Sequence, residues 1–257
     1  GASTNEAQEN VALMIAKQVA DYLLNGVVAN AVNVPSVSSD ILAQVGPFLT
    51  LGEMLGCLHM QIARGGIEEI TIEYGGGLSD LNTSPVTVAF LKGLFSPSLK
   101  DAVNYVNAPI IAKERGIRIV ESRSEKSDDF VNSLSVVVKS EAGVNSLVGT
   151  VFGRREPRLV RLNTFRLEAV AAGPMLLVYN NNVPGVIGAL GTTLGKAGIN
   201  ISRMTVGQEE ASNQNVILLS TDNLVSRELR EKVEELENIT SAQVLDLTAV
   251  ECHAEKR

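Results

Sequence analysis

The chain has 257 residues, 45% of them hydrophobic and 20% charged, a balance that builds a packed core and excludes a disordered chain. Its formal net charge is −7 and its pI about 5.0, which argues against a nucleic-acid partner or an anionic membrane surface. No run has the length of a transmembrane span and none reads as a signal peptide; Cys57 and Cys252 are the only cysteines, and the expectation is a reduced, cytoplasmic protein.

The first residues give a helix. Ser3 and Glu6 have capping-box spacing, and Ala12, Ile15, Ala16, Val19 and Leu23 fall on one face before the stop at Asn25-Gly26. Residues 27–39, with Pro35 and a serine-rich run, read as an extended linker and a domain boundary. A chain that starts at Gly1 and enters a helix almost at once reads as a piece of something longer. A second helical region begins at Asp40 and carries the stripe Leu51, Leu55, Leu58 and Ile62, with Pro47 at its first turn or at a break. Residues 69–74 alternate as a strand and close on Gly75-Gly76-Gly77. Residues 86–95 and 99–114 read as two helices parted by Ser96-Pro97.

Strands follow at 117–122, 133–140, 146–152 and 159–170, so helices precede an antiparallel sheet and the region is α+β. Arg154, Arg155, Arg158, Arg161 and Arg166 gather in the last hairpin. In an acidic chain this is a candidate site for a phosphate or carboxylate; the alternative is a solvated hairpin rim.

Gly173-Pro174 marks a second boundary. Beyond it come a strand at 175–179, a turn at Asn180-Asn181-Asn182, and a helix that opens at Pro184-Gly185 with Ile187, Leu190 and Leu194 on one face. Strands at 199–206 and 215–221, a helix at 226–237 and a strand at 241–250 complete a βαββαβ order, the ferredoxin-like arrangement. Gly188, Gly191 and Gly195 form a helical stripe, and Gly198 stands at the left-handed C-cap. Each helical glycine costs about 0.5–1 kcal/mol relative to alanine, so the stripe implies close approach by something. It is not a dinucleotide loop: Gly185, Gly188 and Gly191 are spaced GxxGxxG where the fingerprint is GxGxxG. Nor do Cys57, His59, Cys252 and His253 make a metal set, because neither pair has ligand spacing.

Four stretches carry a resemblance. GASTNEAQENVALMIAKQVADYLLNG resembles the end of the catalytic portion of the D-3-phosphoglycerate dehydrogenase family. YVNAPIIAKERGI and RLVRLNTFRLEAV resemble the intervening domain of that family's long form. The βαββαβ segment is similar to an ACT domain, a module that binds amino acids, usually between paired copies. The resemblance runs over essentially the whole chain. It implies the end of a catalytic region over residues 1–33, an intervening domain over 34–172 and an ACT domain over 173–257.

The resemblance further implies a parent enzyme that oxidises 3-phosphoglycerate with NAD in L-serine biosynthesis. By position, the catalytic His, the Rossmann glycines and the active-site Arg and Glu are not in this chain. Gly1 and Ala2 match only the rim of the parent's NAD site, so the chain alone is expected to hold no cofactor and to catalyse nothing. An effector site is implied at Asn180 and Asn182 in the turn, at the backbone N–H groups of Gly185 and Val186, and at Asn200. Asn182 stands where the family often has Asp, so it accepts a hydrogen bond without the charge. Arg154, Arg155, Arg158 and Arg161 approximate a basic site ascribed to the intervening domain. Two roles stay open: a region that senses L-serine or a related amino acid through self-associating ACT domains, or an assembly module that binds no effector.

Overall fold

The computed structural model describes residues 4–25, 39–125, 130–153, 155–209 and 212–250. The chain divides into two compact units, 1–44 and 45–257. In the first, α1 spans Asn5–Asn25. Its cap is Thr4, whose Oγ1 accepts from the Ala7 N–H at 3.3 Å, while the expected cap Ser3 lies outside the described residues. The stripe residues Ile15, Val19 and Leu23 are exposed.

The second unit takes in α2 (Ser39–Ile62) from Val45 onward, then β1 (Ile67–Gly76), α3 (Ser84–Leu99), α4 (Ala108–Glu114), β2 (Arg118–Ser124), β3 (Asn132–Ser140) and β4 (Gly143–Phe152). After these come β5 (Glu156–Leu162), β6 (Phe165–Ala169), β7 (Gly173–Asn181), α5 (Val186–Lys196), β8 (Ile201–Glu209), β9 (Gln214–Thr221), α6 (Arg227–Glu234) and β10 (Ile239–Leu247).

Local chemistry accounts for several departures from the sequence reading. Pro47 and Pro97 lie inside α2 and α3; neither breaks its helix, and each gives up one backbone bond. The break expected at Ser96-Pro97 falls instead at Lys100, which has a φ of 49°, and α4 is correspondingly short. The single strand expected over 159–170 is a hairpin, β5–β6. Asn163 turns it with a φ of 50° and accepts the Ser146 N–H on its Oδ1 at 2.8 Å; asparagine tolerates that backbone. Asn180 and Asn181 belong to β7 and not to the turn.

The ten strands form one sheet in the order β10-β7-β9-β8-β6-β5-β4-β3-β1-β2. Only β1–β2 is parallel among these pairs. The C-terminal βαββαβ contributes β10-β7-β9-β8, its own fourth, first, third and second strands, and so has the ferredoxin-like order expected. The fold is α+β, an antiparallel-rich middle region followed by this module.

Register fixes which helices cover which face. One row of Cα partners runs Ser135–Val148–Arg161–Arg166–Gln208–Asn215–Asn180. Row members share a face, and their chain neighbours point the other way. Gly149, next to Val148, faces Leu51 of α2. Val178 and Ile217, two residues from Asn180 and Asn215, pack in a core with Leu190 and Leu194 of α5 and Leu229 and Val233 of α6. So α2 covers one face and α5–α6 the other. Leu177 and Leu218 on the α2 side are as buried as Val178 and Ile217 on the α5–α6 side, which is why β7 and β9 read as unbroken apolar runs.

On the first face α2 crosses α3 with backbones touching. A Cβ on Gly56 would lie 2.1 Å from the Phe90 carbonyl oxygen, and one on Gly93 would lie 2.1 Å from that of Glu53. Glu53 then accepts both from Lys92 Nζ, at 3.0 Å, and from the Tyr105 hydroxyl. That assigns Tyr105, in the YVNAP run, to bracing these helices. Cβ atoms on Gly188, Gly191 and Gly195 of α5 would meet nothing within 4 Å, so the close approach expected of them is not made inside this chain. Gly56→Ala or Gly93→Ala should therefore cost about 3 kcal/mol or more in urea unfolding, because backbone must move. Gly188→Ala should stabilise the monomer by about 0.5–1 kcal/mol.

His59 is fully buried against the same sheet. Its Nε2 donates to the Val136 carbonyl at 3.2 Å, and Nδ1 has no partner. Burial holds its pKa down to about 3 from the ordinary 6.5. Above pH 6.5 the ring is neutral folded or unfolded. Below it the unfolded chain takes a proton that the fold refuses, so stability falls steadily toward pH 3. Urea unfolding at pH 7.5 and pH 5 should show this loss, up to about 1.4 kcal/mol per pH unit, and His59→Leu should flatten it.

Candidate functional site

The C-terminal end of β7 leads into α5, and this corner holds most of the expected effector groups. Two backbone bonds fix the connection: Asn181 N–H donates to Asn238 O and Asn182 N–H to Asn213 O, both at 2.9 Å. Gly185 is the N-cap with a φ of 96°, a conformation that needs glycine. No side chain caps α5, so its first-turn N–H groups are open to an anion. Asn182, Val183, Pro184 and Gly185 are exposed and Val186 is buried.

Asn180 is 2% exposed. Its Nδ2 donates to Asn181 O at 2.7 Å, and its Oδ1 is buried without a partner. Asn215, its register partner on β9, repeats the pattern: 6% exposed, with Oδ1 unpartnered. Sequence reasoning passed over Asn215; only its pairing with Asn180 marks it out.

Asn200 is not in this corner. It follows α5, whose 11 residues span about 16 Å, and its N–H is held by Asp222 Oδ1 at 3.0 Å. Within one chain Asn182 and Asn200 stand at opposite ends of a helix.

The arginines also separate. Arg154, like Gly1 and Ala2, lies outside the described residues. Arg155 is exposed in the β4–β5 turn. Arg158 is engaged by Glu156 and by Glu168 at 3.8 Å, and its guanidinium stands 5.9 Å from the Phe152 ring centre. Two carboxylates neutralise it. Arg161 of β5 stands directly opposite Arg166 of β6.

A third feature joins the two halves of the unit. The Gln61 side chain at the end of α2 binds the outer edge of β10 as a strand would. Its Oε1 accepts from the Asp246 N–H at 2.7 Å and its Nε2 donates to Asp246 O at 2.9 Å. Gln243 returns a bond to the Gln61 carbonyl, and Cys57 lies against the same carbonyl of Asp246.

The β7–α5 loop does not fit a dinucleotide such as NAD. The strand before α5 has only antiparallel neighbours, β9 and β10, whereas a dinucleotide crevice needs parallel strands around its glycine loop. Among the described residues no group of three or more His, Cys, Asp or Glu is placed to hold a metal, and no helix is long and apolar enough to cross a membrane.

Residues 44–163 match the D-3-phosphoglycerate dehydrogenase intervening domain and residues 175–238 the ACT domain. The chain carries the intervening domain of the D-3-phosphoglycerate dehydrogenase family followed by an ACT domain. It is 35% identical over 247 residues to a D-3-phosphoglycerate dehydrogenase of Methanocaldococcus jannaschii, covering 96% of this chain and 47% of that one. It is 36% identical over 248 residues to those of Synechocystis sp. and Archaeoglobus fulgidus, covering 96% of this chain and 45% and 47% of theirs. The chain thus spans about half the length of the curated D-3-phosphoglycerate dehydrogenases it matches. Among solved structures, a ribose 5-phosphate isomerase of Methanocaldococcus jannaschii aligns over 77% of this chain and 91% of its own at 10% identity and a TM-score of 0.23, too low to carry an argument.

Gln61→Ala leaves the N–H of Asp246 without its partner and its C=O with the Cys57 thiol alone, and should cost about 1–3 kcal/mol. Faster amide hydrogen exchange at Asp246, with the core of β7 still protected, is the expected signature.

Proposed function

We propose that this chain is the regulatory and assembly portion of a cytoplasmic, NAD-dependent D-3-phosphoglycerate dehydrogenase of L-serine biosynthesis. Its ACT domain takes an amino acid, L-serine first among candidates. The observation that carries this reading is the corner at β7–α5: an uncapped helix N-terminus beside a set of asparagine amides, inside an ACT match. The helix end suits a carboxylate and the amides suit an ammonium group. The domain limits proposed are 1–33, 34–172 and 173–257, supported by matches at 44–163 and 175–238. NAD belongs to the parent enzyme.

Asn182 and Asn200, at opposite ends of α5, grip one ligand only if Asn200 comes from a second copy. Self-association through the ACT domain supplies it. The Cβ-free stripe of Gly188, Gly191 and Gly195, which meets nothing within 4 Å, lets a second helix approach closely, and it equally favours the alternative, an assembly module with no effector. Effector binding would bias the arrangement of the assembled domains. The anion site proposed for the intervening domain comprises Arg154, Arg155, Arg158 and Arg161.

Calorimetric titration of the 257-residue chain with L-serine, against D-serine and glycine, tests the reading. Saturable, stereospecific heat is expected, together with a dimer in sedimentation. Asn182→Asp should tighten binding, since a charge-assisted bond is about twice as strong as a neutral one. A dimer with no heat up to millimolar ligand leaves the assembly module; a monomer with no heat sinks both.

A further inference from the structure

We propose that the side chains of Gln61 and Glu234 close the outer edge of β10 against strand addition, and that the edge they cover is a docking surface for the β10 strand of a second copy of this chain. The inference concerns how copies associate, and it stands whether or not the β7–α5 corner takes an amino acid.

β10 ends the ten-stranded sheet and pairs with β7 alone among the described strands. In a strand the N–H and C=O of one residue point to the same side, and the sides alternate from residue to residue. Asp246 turns both groups to Gln61, and Ala242 turns its N–H to Glu234. Ala242, Val244 and Asp246 therefore all face away from β7. The register shift of this pair lies earlier, between Ile239 and Ser241, so the alternation runs unbroken through these three.

Each covering side chain is itself held. Gln61 accepts the Asp246 N–H on Oε1 at 2.7 Å and donates from Nε2 to Asp246 O at 2.9 Å. The two bonds together fix which way the amide points, because the flipped group would set donor against donor and acceptor against acceptor. Gln243 of the same strand bonds the Gln61 carbonyl. Glu234, the last residue of α6, accepts the Ala242 N–H on Oε1 at 3.0 Å, while Arg230 Nη1 holds its Oε2 at 2.5 Å. α2 and α6 lie on opposite faces of the sheet, so the edge is gripped from both sides. Neither grip is needed to join β10 to β7, because that ladder uses the alternate residues.

A bare strand edge is a template for another strand, and lysine or proline on the edge is the usual protection. β10, ITSAQVLDL, has neither. Two β10 strands related by a twofold axis through Val244 would set Val244 against Val244 and Ala242 against Asp246. All three outward residues would then be paired, with no like charges opposed. The partner that fits this edge is thus the same strand of a second copy. An incoming strand must bond successive outward residues. With the Ala242 N–H and both groups of Asp246 taken, Val244 stands alone between them, and one residue does not hold a strand. The closed edge directs any pairing of copies to another surface.

The test compares the 257-residue chain with its Gln61→Ala/Glu234→Ala variant by sedimentation over a range of concentrations, with thermal unfolding recorded for each. With rising concentration the double variant should form a species of about twice the wild-type mass, and adding Val244→Pro should return it to the wild-type mass. Proline removes the outward N–H that an added strand needs and leaves the ladder to β7 intact. A double variant that unfolds cooperatively and sediments as wild type overturns the proposal. So does association that Val244→Pro leaves in place, since the contact then lies elsewhere. Amide hydrogen exchange of wild type decides the matter however the variants fold. The Val244 N–H should exchange about tenfold or more faster than those of Ala242 and Asp246. Equal rates at all three, fast or slow, overturn the proposal, because the two side chains then do not set the protection of the edge.

Discussion

The pairing of Arg166 with Gln208 is the joint on which the C-terminal half depends. It is the point where β6 meets β8 and two domain-sized sheets become one. Gly207 makes it possible. A Cβ there would stand 2.9 Å from the Arg166 carbonyl oxygen and 3.2 Å from the Leu167 Cβ, tighter than a side chain tolerates without local movement. Thr205 then ties its hydroxyl to the Glu168 carbonyl at 3.2 Å. Because side chains alternate with a period of two, this register decides which face every residue of the ACT segment presents. A slip of one residue relative to β6 would set α5–α6 on the face that α2 covers and drive one helix layer into the other.

Burial on both faces follows from that joint. The strands β7 and β9 sit between α5–α6 on one side and, on the other, a face that carries Gln243, which is bonded to α2. Gln61 adds a second attachment at the far edge, on β10. The ACT segment is thus held at one edge through β8 and at the other through β10. A shift of β10 relative to β7 must either break the paired bonds of Gln61 or carry α2 with it. The two halves of the unit are mechanically one piece wherever those bonds persist.

Much of this was legible in the chain, for physical reasons that differ from element to element. The βαββαβ order could be read because each strand and helix announces itself by period and by a stop such as Gly198. Pro97 misled because a proline signal is local, whereas the packing of Phe90, Leu91 and Leu94 that holds α3 together is not. The triple asparagine read as a turn on propensity, yet Asn180 is a buried strand residue whose environment comes from β9 and β10. Asn215 has no local signal at all; only pairing reveals it. The same holds for Arg158, whose charge is met by Glu168 on the neighbouring strand. Of the glycines, the GxxGxxG stripe drew attention and meets nothing inside the chain, while Gly56 and Gly93, unremarkable in sequence, sit where two helices touch.

The groups that the β7–α5 corner gathers are uncharged: the amides of Asn180, Asn182 and Asn215 and the N–H groups of α5. Affinity built from neutral dipoles differs from affinity built on a carboxylate. A free cation gains little from amide oxygens that water does not already give it, and a free anion gains the helix end alone. A zwitterion engages both, and its own two charges cancel at a distance, so little long-range field is needed to draw it in and little is lost to salt. On the proposed amino-acid reading, Asn182 offers a neutral contact, and recognition would rest on several such contacts whose geometry must all be right at once. That geometry is set by the Asn181–Asn238 and Asn182–Asn213 backbone bonds and by the left-handed Gly185, so the rigidity of the turn would do the selecting that charge would otherwise do.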